Sequence, residues 1–186
     1  FLSDFPLISG TSILKDSLDK QVADPRFTLH SVPLSEELAF NYYITSDGYK
    51  AEKSTIIDKG ILKTFLLTLY GANKTGKQRS VNNGGCYIVE PGDIHREEMI
   101  QSVKRGLLVC RTSGGRPNDK GDFSTVAKNS YYIEDGKIQY PVNETMITGN
   151  ILDIFMNIKD ISKERINFGT GIYPWVLVDN LIISGK

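Results

Sequence analysis

Charge of one sign is missing from this sequence: 22 Lys and Arg residues stand against 22 Asp and Glu, so the formal net charge is zero. A nucleic-acid or anionic-membrane binder advertises itself by a basic excess, and neither is an expected partner here. Long apolar runs are absent as well, and nothing approaches the roughly 20 residues needed to cross a bilayer. The opening "FLSDFPLISG" has neither the basic nor the long apolar region of a signal peptide, which points to a cytoplasmic location. It has no initiator Met, so residue 1 is expected to be a processing boundary. Cysteine is scarce. Cys86 and Cys110 form no CxxC pattern, which argues against a disulfide scaffold, and each reads as a buried free thiol.

Catalytic signatures are missing too. There is no GxSxG elbow, Walker loop, HExxH or Cys/His cluster. Only two histidines occur. His30 lies in an expected strand with no acid at a useful spacing, and reads as packed or surface. His95 precedes "REEM", but the second histidine that a zinc helix requires is replaced by Met99, so it reads as a solvated first-turn residue. No catalytic residue and no metal ligand is assigned.

What is present is an ordinary globular composition, 40% hydrophobic and 24% charged, in a length that suits one domain spanning 1–186. "TSILKDSLDKQV" places Ile13, Leu14, Leu18 and Val22 at helical spacing behind a Thr/Ser cap, which predicts a helix over 11–22. "DPRFTLHSVP" predicts a strand. "STIID" and "ILKTFLLT" flank Lys59-Gly60 as a hairpin, and Asp47-Gly48 marks a further turn. "PGDIHREEMIQSVKRG" predicts a helix with Asp93 as N-cap and Gly106 as its stop. Asp135-Gly136 is the strongest hairpin signal, joining "YYIE" to "KIQYPV". "GNILDIFMNIKDIS" predicts a second helix, with Asn150 near its start and Ile151, Ile154, Phe155 and Ile158 on one face. "YPWVLVDNLIISGK" closes the chain in one or two strands. The fold class is therefore α+β, a largely antiparallel sheet with hairpins and a few packed helices.

The run "SGGRPNDKGDFS" at 113–124 raises a question of chemistry. Gly114 and Gly115 would let successive N–H groups form an anion nest, with Arg116 and Lys120 adding charge. A phosphate loop, however, needs a helix N-terminus directly after its glycines, and "DFSTVAK" is extended. The expected role is a connection between neighbouring strands, with contact to a peptide or protein left open.

Taken in order, "SDGYKAEKSTIIDKGILKTFLLTLYGANKTG", "RTSGGRPNDKGDFS", "YYIEDGKIQYPVNETMITGNILDIFMNI" and "WVLVDNLIISG" resemble the TldD/PmbA family, whose PmbA branch is also called TldE. The resemblance covers nearly the whole chain and implies the β-rich C-terminal domain of such a protein, cut ahead of residue 1. Members are described as modulators of DNA gyrase, and paired TldD and TldE proteins form a zinc metallopeptidase that matures or degrades peptides. In the TldD branch an HExxxH helix and a late cysteine hold the zinc. Here no HExxxH occurs, and "FMNIKDISKER" offers Lys159 and Asp160 where the cysteine should be. The likeness is therefore to the non-catalytic PmbA/TldE branch. It implies no cofactor in this chain, zinc in a TldD-like partner, and assembly with that subunit or with itself around a peptide substrate. Gly114, Gly115, Asn118, Asp122 and Ser124 would border the substrate path. The family's two other implications are a regulator of gyrase, and an autonomous zinc peptidase with its metal motif upstream.

Overall fold

Two of the expected turns have the backbone that two-residue hairpin loops require. In the computed structural model, which describes residues 1–185, φ is 45° at Lys59 and 81° at Gly60, and 44° at Asp135 and 73° at Gly136. Paired positive φ values give a turn whose twist matches that of the flanking strands, so each dipeptide sets a register. The chain packs as two compact units, Phe1–Pro91 with Arg165–Pro174, and Gly92–Glu164 with Trp175–Lys186.

The first unit contains α1 (Asp4–Ile8), β1 (Leu29–Ser31), β2 (Ser54–Asp58), β3 (Ile61–Leu62), α2 (Leu69–Thr75) and β4 (Tyr87–Val89). β1 lies between β2 and β4, antiparallel to both, and β3 extends the sheet through the Lys59-Gly60 turn. Ile56 and Ile57 point to opposite faces of β2 and both are buried, so this strand is covered on both sides; Ile56, Leu62 and Leu67 are fully buried. Cys86 joins Leu38, Ile88 and Ile172 in a further buried cluster.

The helix expected over 11–22 does not form. Ser12 spends its hydroxyl on a turn, donating to the Phe1 carbonyl and accepting from the Leu14 N–H. Asp19 takes φ 58°; its N–H and that of Val22 donate to the Leu62 and Gly60 carbonyls, and the Lys20 carbonyl accepts from the Leu62 N–H. Long-range main-chain pairing overrides local periodicity here. The strand expected through "ILKTFLLT" ends at Leu62, and α2 forms beyond it, capped by Thr68 Oγ1, which accepts from Gly71 N–H at 3.2 Å.

The second unit contains α3 (Arg96–Ser102), β5 (Arg105–Leu108), β6 (Arg111–Ser113), β7 (Asp122–Lys128), β8 (Ser130–Glu134), β9 (Lys137–Val142), β10 (Met146–Asn150), α4 (Ile151–Met156) and β13 (Ile182–Ser184), with the first part of β11 (Ile158–Asn167) and the last part of β12 (Gly171–Val178). Its strands form a four-stranded sheet in the order β13-β10-β7-β6 and a three-stranded one in the order β5-β8-β9, each antiparallel throughout. Antiparallel hairpins thus dominate, with β4 and β12 as a parallel exception.

Three boundaries differ from expectation. His95 rather than Asp93 stands at the N-cap position of α3, without a side-chain cap bond of its own, and the helix ends at Ser102, while Gly106 lies inside β5. The N–H groups of Gly136 and Asp135 bond the Val103 and Lys104 carbonyls, which draws the chain into a strand one turn early. α4 is only six residues long. The β-branched Ile158 begins β11 instead of completing a helical face. Finally, Cys86 is buried as expected, but Cys110 is exposed, because it sits on the link between β5 and β6.

Candidate functional site

The loop at 113–124 connects the paired strands β6 and β7, as its extended sequel predicts. Its two glycines have different reasons to exist. Gly114 takes φ +74° with open space around it, whereas a Cβ on Gly115 would stand 1.6 Å from the Ser124 carbonyl oxygen. The loop backbone presses directly on β7 at Gly115, so a side chain has no room there. Asn118 Oδ1 accepts from the N–H groups of Lys120 and Asp122 at 2.9 and 3.0 Å, folding the tip into an Asx turn. Asn150 then clasps it, donating to the Lys120 carbonyl and to Asp122 Oδ1, both at 2.9 Å. Ser124 lies opposite Thr148 of β10, with the two hydroxyls 3.0 Å apart.

Of the residues singled out from the sequence, Asn118 and Asp122 are therefore brought together, and Ser124 follows along β7. Gly115 presses on the Ser124 carbonyl, and the Gly114 carbonyl accepts from Thr125 Oγ1 at 2.9 Å. Asn150, which also caps α4 by accepting from Leu152 N–H at 2.9 Å, is the member that sequence reading placed only as a helix start. The signal was "GN" at a strand end, but nothing local reveals a partner 28 residues away.

Side chains alternate along β7, and Phe123 and Thr125 project from the face opposite Asp122 and Ser124. They line an apolar cleft of about 580 Å³ in the second unit, whose walls also include Met99 of α3, Ile133 of β8 and Ile147 of β10. Two stretches of its lining are continuous in sequence, 102–109 and 175–181. A strand that merely turned one face to the cleft would contribute every second residue. Unbroken runs mean that the edges of β5 and of the end of β12 open onto it. β5 bonds to β8 on one side only, and β12, paired with β11 along one edge, meets β4 along the other only through Gly171 and Ile172. Among the described residues, main-chain groups of both edges are thus left unpaired by neighbouring strands.

The histidines are partnered by carboxylates, which the sequence did not show. His30 Nδ1 meets Thr55 Oγ1 at 3.0 Å and its Nε2 meets Glu90 Oε1 at 2.9 Å. His95 Nδ1 is 2.6 Å from Glu164 Oε1, and Glu164 Oε2 accepts from the Arg96 N–H at 2.9 Å. The His95 contact, aided by main-chain donors, holds the Glu164 carboxyl down to about 2. Glu164 therefore caps α3 from β11. Lys159, one of the two residues where a metal cysteine was sought, forms an ion pair with Asp179 at 3.2 Å. Among the described residues no three His, Cys, Asp or Glu side chains converge as a metal site.

Known proteins with similar sequences and folds agree with one another. The family described as PmbA/TldA metallopeptidase C-terminal domain matches residues 2–185. A protein named metalloprotease PmbA from Escherichia coli O157:H7 is 34% identical over 95% of this chain and 40% of its own length. A zinc metalloprotease TldD homolog from Saccharolobus solfataricus is 24% identical, over 78% of this chain and 36% of its own. Among solved structures, TldE from Thermococcus kodakarensis superposes with a TM-score of 0.83 at 25% identity, covering 99% of this chain and 45% of that one. A proposed modulator of DNA gyrase from Bacteroides thetaiotaomicron superposes with a TM-score of 0.90 at 28% identity, covering 100% and 42%. The chain thus spans less than half the length of each of these relatives.

Proposed function

This chain belongs to the PmbA/TldD metallopeptidase family, in the part that forms its C-terminal domain, and from that premise we propose that it is the peptide-holding part of a partner subunit that carries no zinc of its own. The observation that carries this reading is the cleft. It combines an apolar floor with two unpaired strand edges, which is what an extended peptide needs in order to bind by adding itself as a strand. Main-chain hydrogen bonds would hold any sequence, and the floor would receive alternate side chains.

The described residues of this chain do not fit a zinc ion. Among them His30 and His95 each meet a single carboxylate, and no three His, Cys, Asp or Glu side chains converge, whereas a catalytic zinc takes three protein ligands with an open fourth position. In this reading the zinc, which would polarise the scissile carbonyl and supply a hydroxide, is held by a TldD-like subunit, and no step is routed through this chain. The work of this chain is to bind and align the peptide. The clasped loop, with Asn118 in its tip and Asp122 and Ser124 on the other face of β7, does not line this cleft, and the peptide-holding role is proposed for the cleft alone.

The test is cleavage of a fluorogenic peptide by the purified two-subunit assembly and by the TldD-like subunit alone. The assembly should cleave with a lower KM. A peptide with alternate N-methylated amides, which cannot complete a strand ladder, should lose that advantage. Equal cleavage with and without the subunit would sink the proposal, as would zinc retained by this subunit together with cleavage in isolation.

A further inference from the structure

β5 carries a glycine that its own backbone does not require. Gly106 has no left-handed φ, and the β5–β8 register runs through it without a bulge, pairing it with Ile133. A glycine inside a strand weakens it, and where neither a turn nor a bulge accounts for it, it marks a place that another group approaches closely. Little in the chain takes that place. A Cβ on Gly106 would meet one atom, Val103 Cγ1 at 2.9 Å, at the free end of a side chain. Gly149 of β10 is the contrast, since its Cβ would stand 2.5 Å from Leu181 Cδ2, and a residue of the same unit already fills its space.

Gly106 is on the cleft side of β5. Residues opposite one another in a ladder share a face, and its partner Ile133, 2% exposed, lines the cleft with it. The Asp135 N–H donates to the Lys104 carbonyl at 2.8 Å, which sets the phase of the ladder. Main-chain groups of Gly106 therefore turn to β8, and those of Arg105 and Leu107 turn to the free edge. A strand added antiparallel at that edge would bond to Arg105 and Leu107. One of its residues would then stand directly opposite Gly106, in the pair without hydrogen bonds, where side chains approach most closely. That side chain points to the Ile133 face and into the cleft.

We infer that Gly106 is a specificity-determining residue of the cleft, keeping open a subsite for one large apolar side chain, such as Leu or Phe, of a peptide added to β5. The inference rests on the peptide reading above and deepens it. The glycine supplies room, Ile133 supplies an apolar wall, and the free main-chain groups on either side fix which peptide residue enters. A β-branched side chain at 106 would fill the subsite while suiting a strand, so it should change selectivity rather than the fold.

The experiment uses the intact protein and three fluorescent peptides, built of Ser and Thr, that differ only in a central Ala, Leu or Phe. The Leu and Phe peptides should bind about tenfold more tightly than the Ala peptide. Gly106→Val should abolish that preference and bind the Ala peptide as the parent does, which also shows that it is folded. Gly106→Ala should shift the preference the same way by less, and it decides the matter if the larger variant does not fold. Equal affinity of the parent for all three peptides would overturn the subsite and leave the peptide reading intact. A preference unchanged by the variants, or equal weakening of all three peptides, would also overturn it, because Gly106 would then not act on the side chain. Failure of all three to bind the parent would overturn both readings.

Discussion

The two units differ in how they hold their strongest ion pair. In the first, beside exposed pairs such as Lys50–Glu52, Asp47 and Arg79 form a pair largely shielded from water, with side chains 14% and 18% exposed. Asp47 Oδ2 accepts from Arg79 Nε at 2.8 Å and from the Leu69 N–H at 2.8 Å, while Oδ1 accepts from Thr45 Oγ1 at 2.7 Å. The guanidinium stacks 3.7 Å over the Tyr49 ring, and its hydrogen bonds to Asp47 hold that carboxyl well below the usual range. Beside it Asn82, 1% exposed, bonds Ser31, Ser54 and the Glu52 carbonyl. In the second unit the ion pairs lie in water: His95 and Glu164 are 53% and 42% exposed. It buries Ile158 and Ile161, but part of its apolar surface lines a cleft. The contrast teaches a division of labour within one chain. The first unit ties polar side chains of distant segments into one network, and the second leaves strand edges open on its cleft.

The largest loss of stability comes from breaking the half-buried Asp47–Arg79 pair. Arg79→Ala should cost about 3 kcal/mol, because it removes two charge-assisted hydrogen bonds to Asp47 together with the stack on Tyr49. Denaturant unfolding would show it, and a cost as small as that of a surface ion pair would erase the distinction between the units. Gly115→Ala follows at about 2 kcal/mol, since it adds a left-handed alanine and a backbone collision with Ser124. Hydrogen exchange should show the effect concentrated in β6 and β7. Asn150→Ala removes a helix cap and the loop clasp together, for about 1 kcal/mol. Loosening of the 113–124 loop under limited proteolysis is its signature, with β1 to β4 unaffected.

The smallest effect belongs to the exposed cap of α3. Glu164 is held to about 2 against an ordinary 4.5, so the native state favours its ionised form. The stability it contributes is complete above about 4.5 and is lost as pH falls through about 2. The melting temperatures of the parent and Glu164→Gln should differ slightly near neutral pH and converge in acid. A difference that widened on acidification would mean that Glu164 is not the cap.

What could be read from the sequence was local or cumulative. Lys59-Gly60 and Asp135-Gly136 name their hairpins because only a few residue types accept paired positive φ. "DFSTVAK" announced a strand after the glycines and so argued against a phosphate cradle. The ordered motifs from "SDGYKAEKST" to "WVLVDNLIISG" carried the family. Tertiary structure decided the rest, through contacts between residues far apart in the chain. The helical spacing of Ile13, Leu14, Leu18 and Val22 lost to main-chain bonds with Gly60 and Leu62. Arg79 found Asp47, and Asn150 found the loop, with no mark in sequence beyond their own polarity. The cleft is the extreme case, since Met99, Phe123, Ile147 and the edge of β12 lie on separate elements. A strand edge has no residue signature of its own, because it is defined by the neighbour a strand does not have, and only the folded chain settles that.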